Sequence, residues 1–195
     1  MDNYESTLDA ARRHFLEYDI ALLTKRPGIT DAGDHLKTRF FAQTVRIEKS
    51  TGQVTLDGEK VDFVQGLSIY DWLCDRKPGA AAAGEYCPVG SLPGVFVGGS
   101  GLQICPKSLA DAIQRSPEAF HRRMESMGAT PVSYGDIGYQ LEIFPGLHML
   151  LKFYFADEEF PPSVMLLWDR NMLQFVRYET IYYIAGCLNE RLRCL

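Results

Sequence analysis

The sequence lacks an apolar run long enough to span a lipid bilayer. Its longest one, Met149 to Phe155, is interrupted by Lys152, whereas a transmembrane helix needs roughly 20 predominantly apolar residues. The opening residues, Met1 to Asp9, are acidic and polar, whereas a secretory signal begins with basic residues followed by an apolar stretch. We therefore expect a cytoplasmic protein without a membrane segment.

The sequence also lacks a concentration of positive charge. Lys and Arg number 20 against 25 Asp and Glu, giving a net charge of -5, and the basic residues are scattered. Proteins that bind nucleic acids gather Lys and Arg into a patch that attracts phosphates. Nucleic acid is therefore not an expected partner.

Cysteine motifs are absent as well. The five cysteines are an odd number, and no two lie closer than seven positions, so the chain has neither a C-x-x-C redox pair nor a local zinc knuckle. We expect all of them to be reduced, as small hydrophobic side chains of the core. The spacing leaves open whether Cys74, Cys87 and Cys105 converge to hold a metal or cluster.

The common catalytic signatures G-x-S-x-G, H-E-x-x-H and G-x-G-x-x-G do not occur. Residues Gly101 to Ser108 depart from the phosphate loop G-x-x-x-x-G-K-[ST] at one fixed position, where Pro106 replaces glycine. Proline removes a backbone N–H that such a loop needs to bind phosphate. We expect a loop that ends in a helix cap at Ser108, and no nucleotide site.

What the sequence does contain is the composition of a folded domain. With 195 residues, of which 46% are hydrophobic, the chain is long enough to bury a substantial core as a single domain spanning residues 1–195. Helical spacing of apolar residues is present in Leu8 to Leu22, with a break near Tyr18, in Val61 to Asp75, after Ser108, after Ser116, and in Glu179 to Leu195.

Alternating patterns indicate strands. Val45 to Glu48 and Val54 to Leu56 flank a turn and predict a hairpin. Tyr139 to Ile143 and Leu147 to Phe155 alternate between apolar and polar residues, and Val164 to Trp168 is apolar on both faces. We predict an α+β fold with an antiparallel sheet, helices mainly on one face, and helices at both termini.

Between these elements, Gly79 to Gly101 is rich in glycine and proline. We expect it to be mostly irregular, with short extended pieces near Tyr86 and from Val95 to Val97. Loops of this length are often functional.

The register of the predicted hairpin decides which polar side chains meet. A two-residue turn at Pro145-Gly146 sets Glu142 against Met149. A three-residue loop that includes Phe144, with glycine in the left-handed conformation, sets Glu142 opposite His148. We favour the second register, because it keeps the Glu142 carboxylate away from apolar side chains.

This register defines the candidate site residues. Glu142 and His148 form a possible base and orienting partner, and an acidic turn follows the second strand. An EF-hand spacing is absent, and we predict no metal ligands. The candidate ligand-binding side chains are Tyr86, Glu142, His148, Lys152, Tyr154, Asp157, Glu158 and Glu159.

The segments Phe155 to Pro162, Met165 to Asp169 and Tyr178 to Thr180 resemble the family called domain of unknown function 3786. The resemblance implies an origin in anaerobic bacteria or archaea. Some family members are joined to a cysteine-rich iron–sulfur segment, which this sequence lacks. The family has no established activity to transfer. Its pattern marks Asp157, Glu158, Glu159, Asp169 and Glu179.

Two hypotheses for function follow. The first is a non-catalytic ligand-binding or accessory protein whose pocket is formed by the glycine-rich loop and the strand hairpin, with aromatic side chains contributed by Tyr86, Phe96, Tyr134 and Tyr154. An anaerobic setting suits a corrinoid, haem or cluster, but the sequence identifies no cofactor. The second is an enzyme that uses Glu142, His148 and the acidic turn for proton transfer or metal-assisted chemistry. The ligand, any protein partner and the oligomeric state stay open.

Overall fold

Helices and two antiparallel five-stranded sheets form the fold in a computed structural model, which describes residues 3–95 and 105–193. The predicted α+β class is confirmed, with helices near both ends of the chain. The strands form two sheets, whereas we expected one from the sequence. The N-terminal hairpin pairs with the strands that flank it in the chain and forms a separate sheet with them.

The elements have the following bounds. The helices are α1 (Asn3–Glu17), α2 (Ile20–Leu23), α3 (Phe63–Cys74), α4 (Lys107–Arg115), α5 (Pro117–Ser126) and α6 (Tyr178–Arg191). The first sheet contains, in spatial order, β1 (Thr30–Asp31), β2 (His35–Phe40), β3 (Gln43–Glu48), β4 (Val54–Leu56) and β5 (Glu59–Lys60). The second has the spatial order β6-β10-β9-β8-β7, with β6 (Tyr86–Cys87), β7 (Thr130–Pro131), β8 (Ile137–Phe144), β9 (Leu147–Tyr154) and β10 (Ser163–Asp169).

Capping residues determine where two of the helices begin. The predicted break near Tyr18 is confirmed, since α2 restarts after Asp19, whose carboxylate accepts a hydrogen bond from the Ala21 N–H at 2.9 Å. The start of α3 is a capping box in which Asp62 and Gln65 each bond the other's backbone N–H. Such caps satisfy N–H groups that have no partner within the helix.

The tight turn between β2 and β3 joins the two sheets. Its residues Phe41 and Ala42 have φ angles of +49° and +65°, in the left-handed region that costs a non-glycine residue about 1 kcal/mol or more. The Phe41 N–H donates to the carbonyl of Ile143 in β8 at 2.9 Å, and the Phe41 side chain is buried. The packing of Phe41 therefore offsets the strain of the turn.

The register of β8 and β9 is the predicted one, with Glu142 opposite His148. The predicted three-residue loop is wrong, because Phe144 belongs to the strand and pairs with Leu147. An irregularity between Glu142 and Phe144 supplies the extra residue. Gly146 has the expected left-handed conformation, with φ +77°.

The described part of the glycine-rich segment is mostly irregular, as predicted, and includes the short strand β6. The carboxylate of Asp169, at the end of β10, holds this segment in place. It accepts hydrogen bonds from the N–H groups of Ala83 at 3.0 Å and Gly84 at 2.9 Å, and from that of Asn171 at 2.8 Å. Phe96 and the predicted extended piece beyond Val95 lie outside the described residues.

Helix α3 is the most deeply placed helix, with residues 66–74 all buried. The Trp72 ring stacks on Phe144 at 4.7 Å, and Phe144 stacks on Phe40 of the first sheet at 4.9 Å. Polar side chains between residues 66 and 74 are therefore largely shielded from solvent. Each helix that the structure describes is too short or too polar to cross a membrane.

Candidate functional site

The side chains predicted from the sheet do share one face. Glu142, His148, Lys152 and Tyr154 alternate with the buried residues of β8 and β9, and Gln140 on the same face donates to the Tyr86 hydroxyl at 2.7 Å. At about 3.3 Å per residue, however, His148 and Tyr154 lie roughly 20 Å apart along the strand. These residues therefore line a surface and do not converge on one ligand.

The partners of Glu142 differ from those that the sequence suggested. Its carboxylate accepts hydrogen bonds from Arg39 of β2 at 2.8 Å and from the Gly146 N–H at 2.9 Å. Within the described residues, no hydrogen bond joins the Glu142 carboxylate to the His148 ring. The Glu142 carboxylate thus connects the two sheets and fixes the turn, and this geometry does not favour a base with an orienting partner.

The acidic turn Asp157-Glu158-Glu159 is exposed. The Asp157 carboxylate accepts the N–H groups of Phe160 at 2.7 Å and Glu159 at 2.8 Å, and these bonds lower the pKa of Asp157. This carboxylate therefore stabilises the turn. Among the residues that the structure describes, no group of three or more His, Cys, Asp or Glu side chains is placed to hold a metal ion.

The described cysteines are unpaired, and Cys74 and Cys105 are buried. Burial raises the pKa of each of these two thiols to about 12, so both are neutral near pH 7. Cys74, Cys87 and Cys105 do not form a metal site within residues 3–95 and 105–193. Cys194 lies outside the described residues.

A cleft of about 190 Å³ opens between α1 and α3. A cavity of roughly 150 Å³ admits benzene, so this cleft has room for a small organic molecule. Ala10, Ala11 and Leu67 give the lining an apolar part, and most of the other lining residues are polar. The full lining comprises Thr7, Ala10, Ala11, His14, Leu67, Tyr70, Asp71, Cys74, Asp75 and Arg177.

Asp71 is the most unusual group of this cleft, because its side chain is only 10% exposed. It accepts a hydrogen bond from the hydroxyl of Thr180 near the start of α6. Burial raises the pKa of Asp71 to about 6, although the Thr180 hydroxyl and the Arg177 charge both oppose that rise. The carboxyl group of Asp75, one helical turn along, adds to it. Desolvation therefore dominates.

Arg177 partly compensates this negative charge. Its Nε lies 2.7 Å from Oδ2 of Asp75 and 4.0 Å from Oδ1 of Asp71, and the Asp75 contact raises the pKa of Arg177. The Arg177 side chain is 61% exposed, whereas that of Asp75 is 22% exposed. With both carboxylates ionised, the three groups carry a net charge of about -1.

Asp71, Asp75 and Arg177 were not among the site residues predicted from the sequence. The structure places His14 at the exposed side of the cleft. A usable signal was present in α3, where Asp71 interrupts a helix that is otherwise almost wholly apolar from Leu67 to Leu73. A buried carboxyl with a shifted pKa beside a cavity is a recurrent mark of functional sites.

The fold and the cleft define the protein as an α+β domain with a small, negatively charged cleft between its first and third helices. A family model described as Domain of unknown function (DUF3786) matches residues 19–191. The chain therefore belongs to this family, as its resemblance predicted. The matched range includes Asp71, Asp75 and Arg177 and begins after α1. No curated protein and no solved structure matches the chain.

Proposed function

We propose that the protein is a non-catalytic binding module that holds a small organic cation, a molecule with a protonated amine, in the cleft between α1 and α3. The observation that carries this proposal is the position of Asp71, a buried carboxyl group at the wall of the cleft, with a pKa raised to about 6. A buried negative charge is costly without a partner. A bound ammonium group supplies that partner.

The shape of the cleft supports the same class of ligand. An ammonium group placed near Asp71 and Asp75 adds hydrogen-bond donors to carboxylates that Arg177 only partly neutralises. The alkyl part of the ligand then contacts the apolar side chains of Ala10 and Leu67. A volume of about 190 Å³ limits the ligand to a compact molecule.

The protonation state of a thiol in the lining and the hydrogen bonding of the buried carboxyl group favour binding without catalysis. Cys74 contributes a thiol to the lining, and burial raises the pKa of this thiol to about 12. A thiol must ionise to act as a nucleophile. Asp71 itself accepts a hydrogen bond from Thr180, which ties it to α6.

We further propose that the protein works in the cytoplasm of an anaerobic organism, without nucleic acid or membrane partners. The free cysteines Cys74, Cys87, Cys105 and Cys187 suit a reducing compartment. The net charge of -5 disfavours nucleic acid, and the anaerobic setting rests on the family resemblance.

Isothermal titration calorimetry at pH 7.5 tests the ligand class with two probes of matched size, butylamine and the neutral butanol. We expect saturable binding of butylamine that is at least tenfold weaker, or about 1.4 kcal/mol less favourable, in Asp71→Asn. The variant keeps an oxygen that can accept a hydrogen bond from Thr180, so the fold is retained.

The matched control is Asp111→Asn, which replaces an exposed carboxylate on α4 and should bind butylamine like the wild type. Equal affinity for both probes, or unchanged butylamine binding in Asp71→Asn, would overturn the proposal.

A further inference from the structure

A second cavity, of about 330 Å³, shares no residue with the cleft between α1 and α3. It lies where the turn between β2 and β3 meets the last turns of α5 and α6. Its lining comprises Phe41, Ala42, Gln43, Asp57, Arg123, Ser126, Met127 and Arg191.

Arg191 is held rigidly at this cavity. Its guanidinium carbon lies 5.1 Å from the ring centre of Phe41 and 5.5 Å from that of Phe40. The same group donates to the carbonyl of Cys187 at 3.1 Å and to the side-chain oxygen of Gln43. A guanidinium carries five N–H donors in a fixed plane, so these two bonds leave donors available for a ligand.

The positive charges of this cavity form no ion pair with a carboxylate in the part of the chain that the structure describes. Within the described residues, neither Arg123 nor Arg191 has an Asp or Glu oxygen within 4.0 Å of its guanidinium nitrogens. Burial lowers the pKa of Arg191, although the charges of Asp62 and Asp57 oppose the shift, and this is the direction expected when a cation is desolvated.

Asp57 is the acidic group in the lining, and its carboxylate is already engaged. It accepts hydrogen bonds from the Thr44 N–H at 2.8 Å and from the Gln43 side chain at 2.9 Å. The charged groups of the lining, Asp57, Arg123 and Arg191, therefore sum to about +1 at neutral pH.

From these observations we infer that this cavity is a binding site for a small ligand with an oxyanion, either a carboxylate or a phosphate group. Arg191 and Arg123 supply planar sets of N–H donors that match two oxygens of such a group. The rigid support of Arg191 on Phe40 and Phe41 lowers the entropy lost when the ligand binds. This site is independent of the proposed amine site, because it has different residues and the opposite charge.

Two-dimensional NMR titration of the full chain, with inorganic phosphate and with succinate at constant ionic strength, tests this inference. We expect saturable shifts of the Arg191 Nε–H signal and of backbone signals at residues 41–43. Binding of phosphate alone assigns the site to phosphate groups, whereas binding of succinate alone, or of both probes, assigns it to oxyanions that include carboxylates.

Matched variants distinguish specific binding in this cavity from nonspecific electrostatic attraction of anions. Arg123→Gln should weaken binding at least tenfold, whereas Arg122→Gln, an exposed neighbour on α5, should leave it unchanged. Asp57→Asn should tighten binding a few-fold by removing a like charge, and asparagine tolerates the left-handed φ of +50° at this position. No saturable shift with either probe up to 20 mM, or equal weakening by Arg122→Gln and Arg123→Gln, would overturn the inference. Because the Asp57 variant changes affinity in the opposite direction, a loss of folding cannot mimic the expected pattern.

Discussion

Burial of Asp71 should make the stability of the whole domain depend on pH in a defined direction. The pKa of this carboxyl is about 6 in the folded protein, against 3.8 for an ordinary aspartate. Each pKa unit corresponds to about 1.36 kcal/mol, so the shift represents about 3 kcal/mol. In the unfolded chain, this carboxyl has the pKa of an ordinary aspartate. The free energy of unfolding should therefore vary with pH by about this amount.

The sign follows from the protonation states. Below pH 3.8 the Asp71 carboxyl is protonated in both the folded and the unfolded chain, so its burial carries no charge penalty. As the pH rises toward about 6, the unfolded chain loses this proton before the folded one does. Above pH 6 the folded protein carries a buried charge, and the stabilisation present in acid has been lost.

Asp71→Asn isolates this contribution, because asparagine has nearly the same shape and retains an acceptor for Thr180. The free energy of unfolding of Asp71→Asn, relative to the wild type, should rise by about 2.4 kcal/mol between pH 4 and pH 7.5. Urea unfolding followed by tryptophan fluorescence measures this quantity, since Trp72 is buried next to Asp71 in α3. Asp111→Asn, which replaces an exposed carboxylate, should show no comparable trend.

Two results would contradict the predicted pH dependence. If the wild-type and Asp71→Asn curves of unfolding free energy against pH run parallel, Asp71 has no raised pKa in the folded protein. If the variant loses stability relative to the wild type as the pH rises, the ionised carboxylate is stabilised by its neighbours. Either result would refute the claim that desolvation dominates at this position.

Two further predictions test the fold around the sites. Gly28→Ala should cost more stability than Gly33→Ala: both glycines have positive φ, but a Cβ at Gly28 would lie 2.1 Å from the Cβ of Pro145, whereas at Gly33 it meets nothing within 4 Å. We expect about 1 kcal/mol for Gly33→Ala and at least twice that for Gly28→Ala in urea unfolding, and equal costs would contradict the close packing. Asp169→Ala removes the acceptor of three N–H bonds and should destabilise the protein by about 2–4 kcal/mol. Hydrogen exchange at Ala83 should accelerate with it, and unchanged protection there would show that the segment is held by other contacts.

The strands β8 and β9 and their register were predictable from the sequence because a strand has a side-chain period of two. The alternation in Tyr139 to Ile143 and Leu147 to Phe155 allows only registers that keep apolar residues on one face. The position of Glu142 opposite His148 followed from this constraint. The exact turn did not, because an irregularity within the strand and an extra loop residue produce the same register.

The cleft was not predictable by the same reasoning, because its walls come from segments far apart in the sequence. His14, Asp71 and Arg177 meet only after α3 packs against both α1 and α6. Helical spacing predicts which faces are buried, but it does not determine which neighbouring helix covers a face. The predicted candidates on the sheet were correctly placed on one face, yet an extended strand separates its polar residues too widely for a single small ligand.

The most direct test of the account is the number of protons released when butylamine binds, obtained by calorimetry in buffers that differ in their ionisation enthalpy. Butylamine stays protonated at pH 6 and at pH 8, as lysine does, so any released proton comes from the protein. With a pKa of about 6, Asp71 is half protonated at pH 6 in the free protein, and a bound cation favours its ionised form. We expect release of up to about half a proton at pH 6, almost none at pH 8, and none at either pH in Asp71→Asn. Binding at pH 6 without proton release, or with the same release in Asp71→Asn, would contradict it.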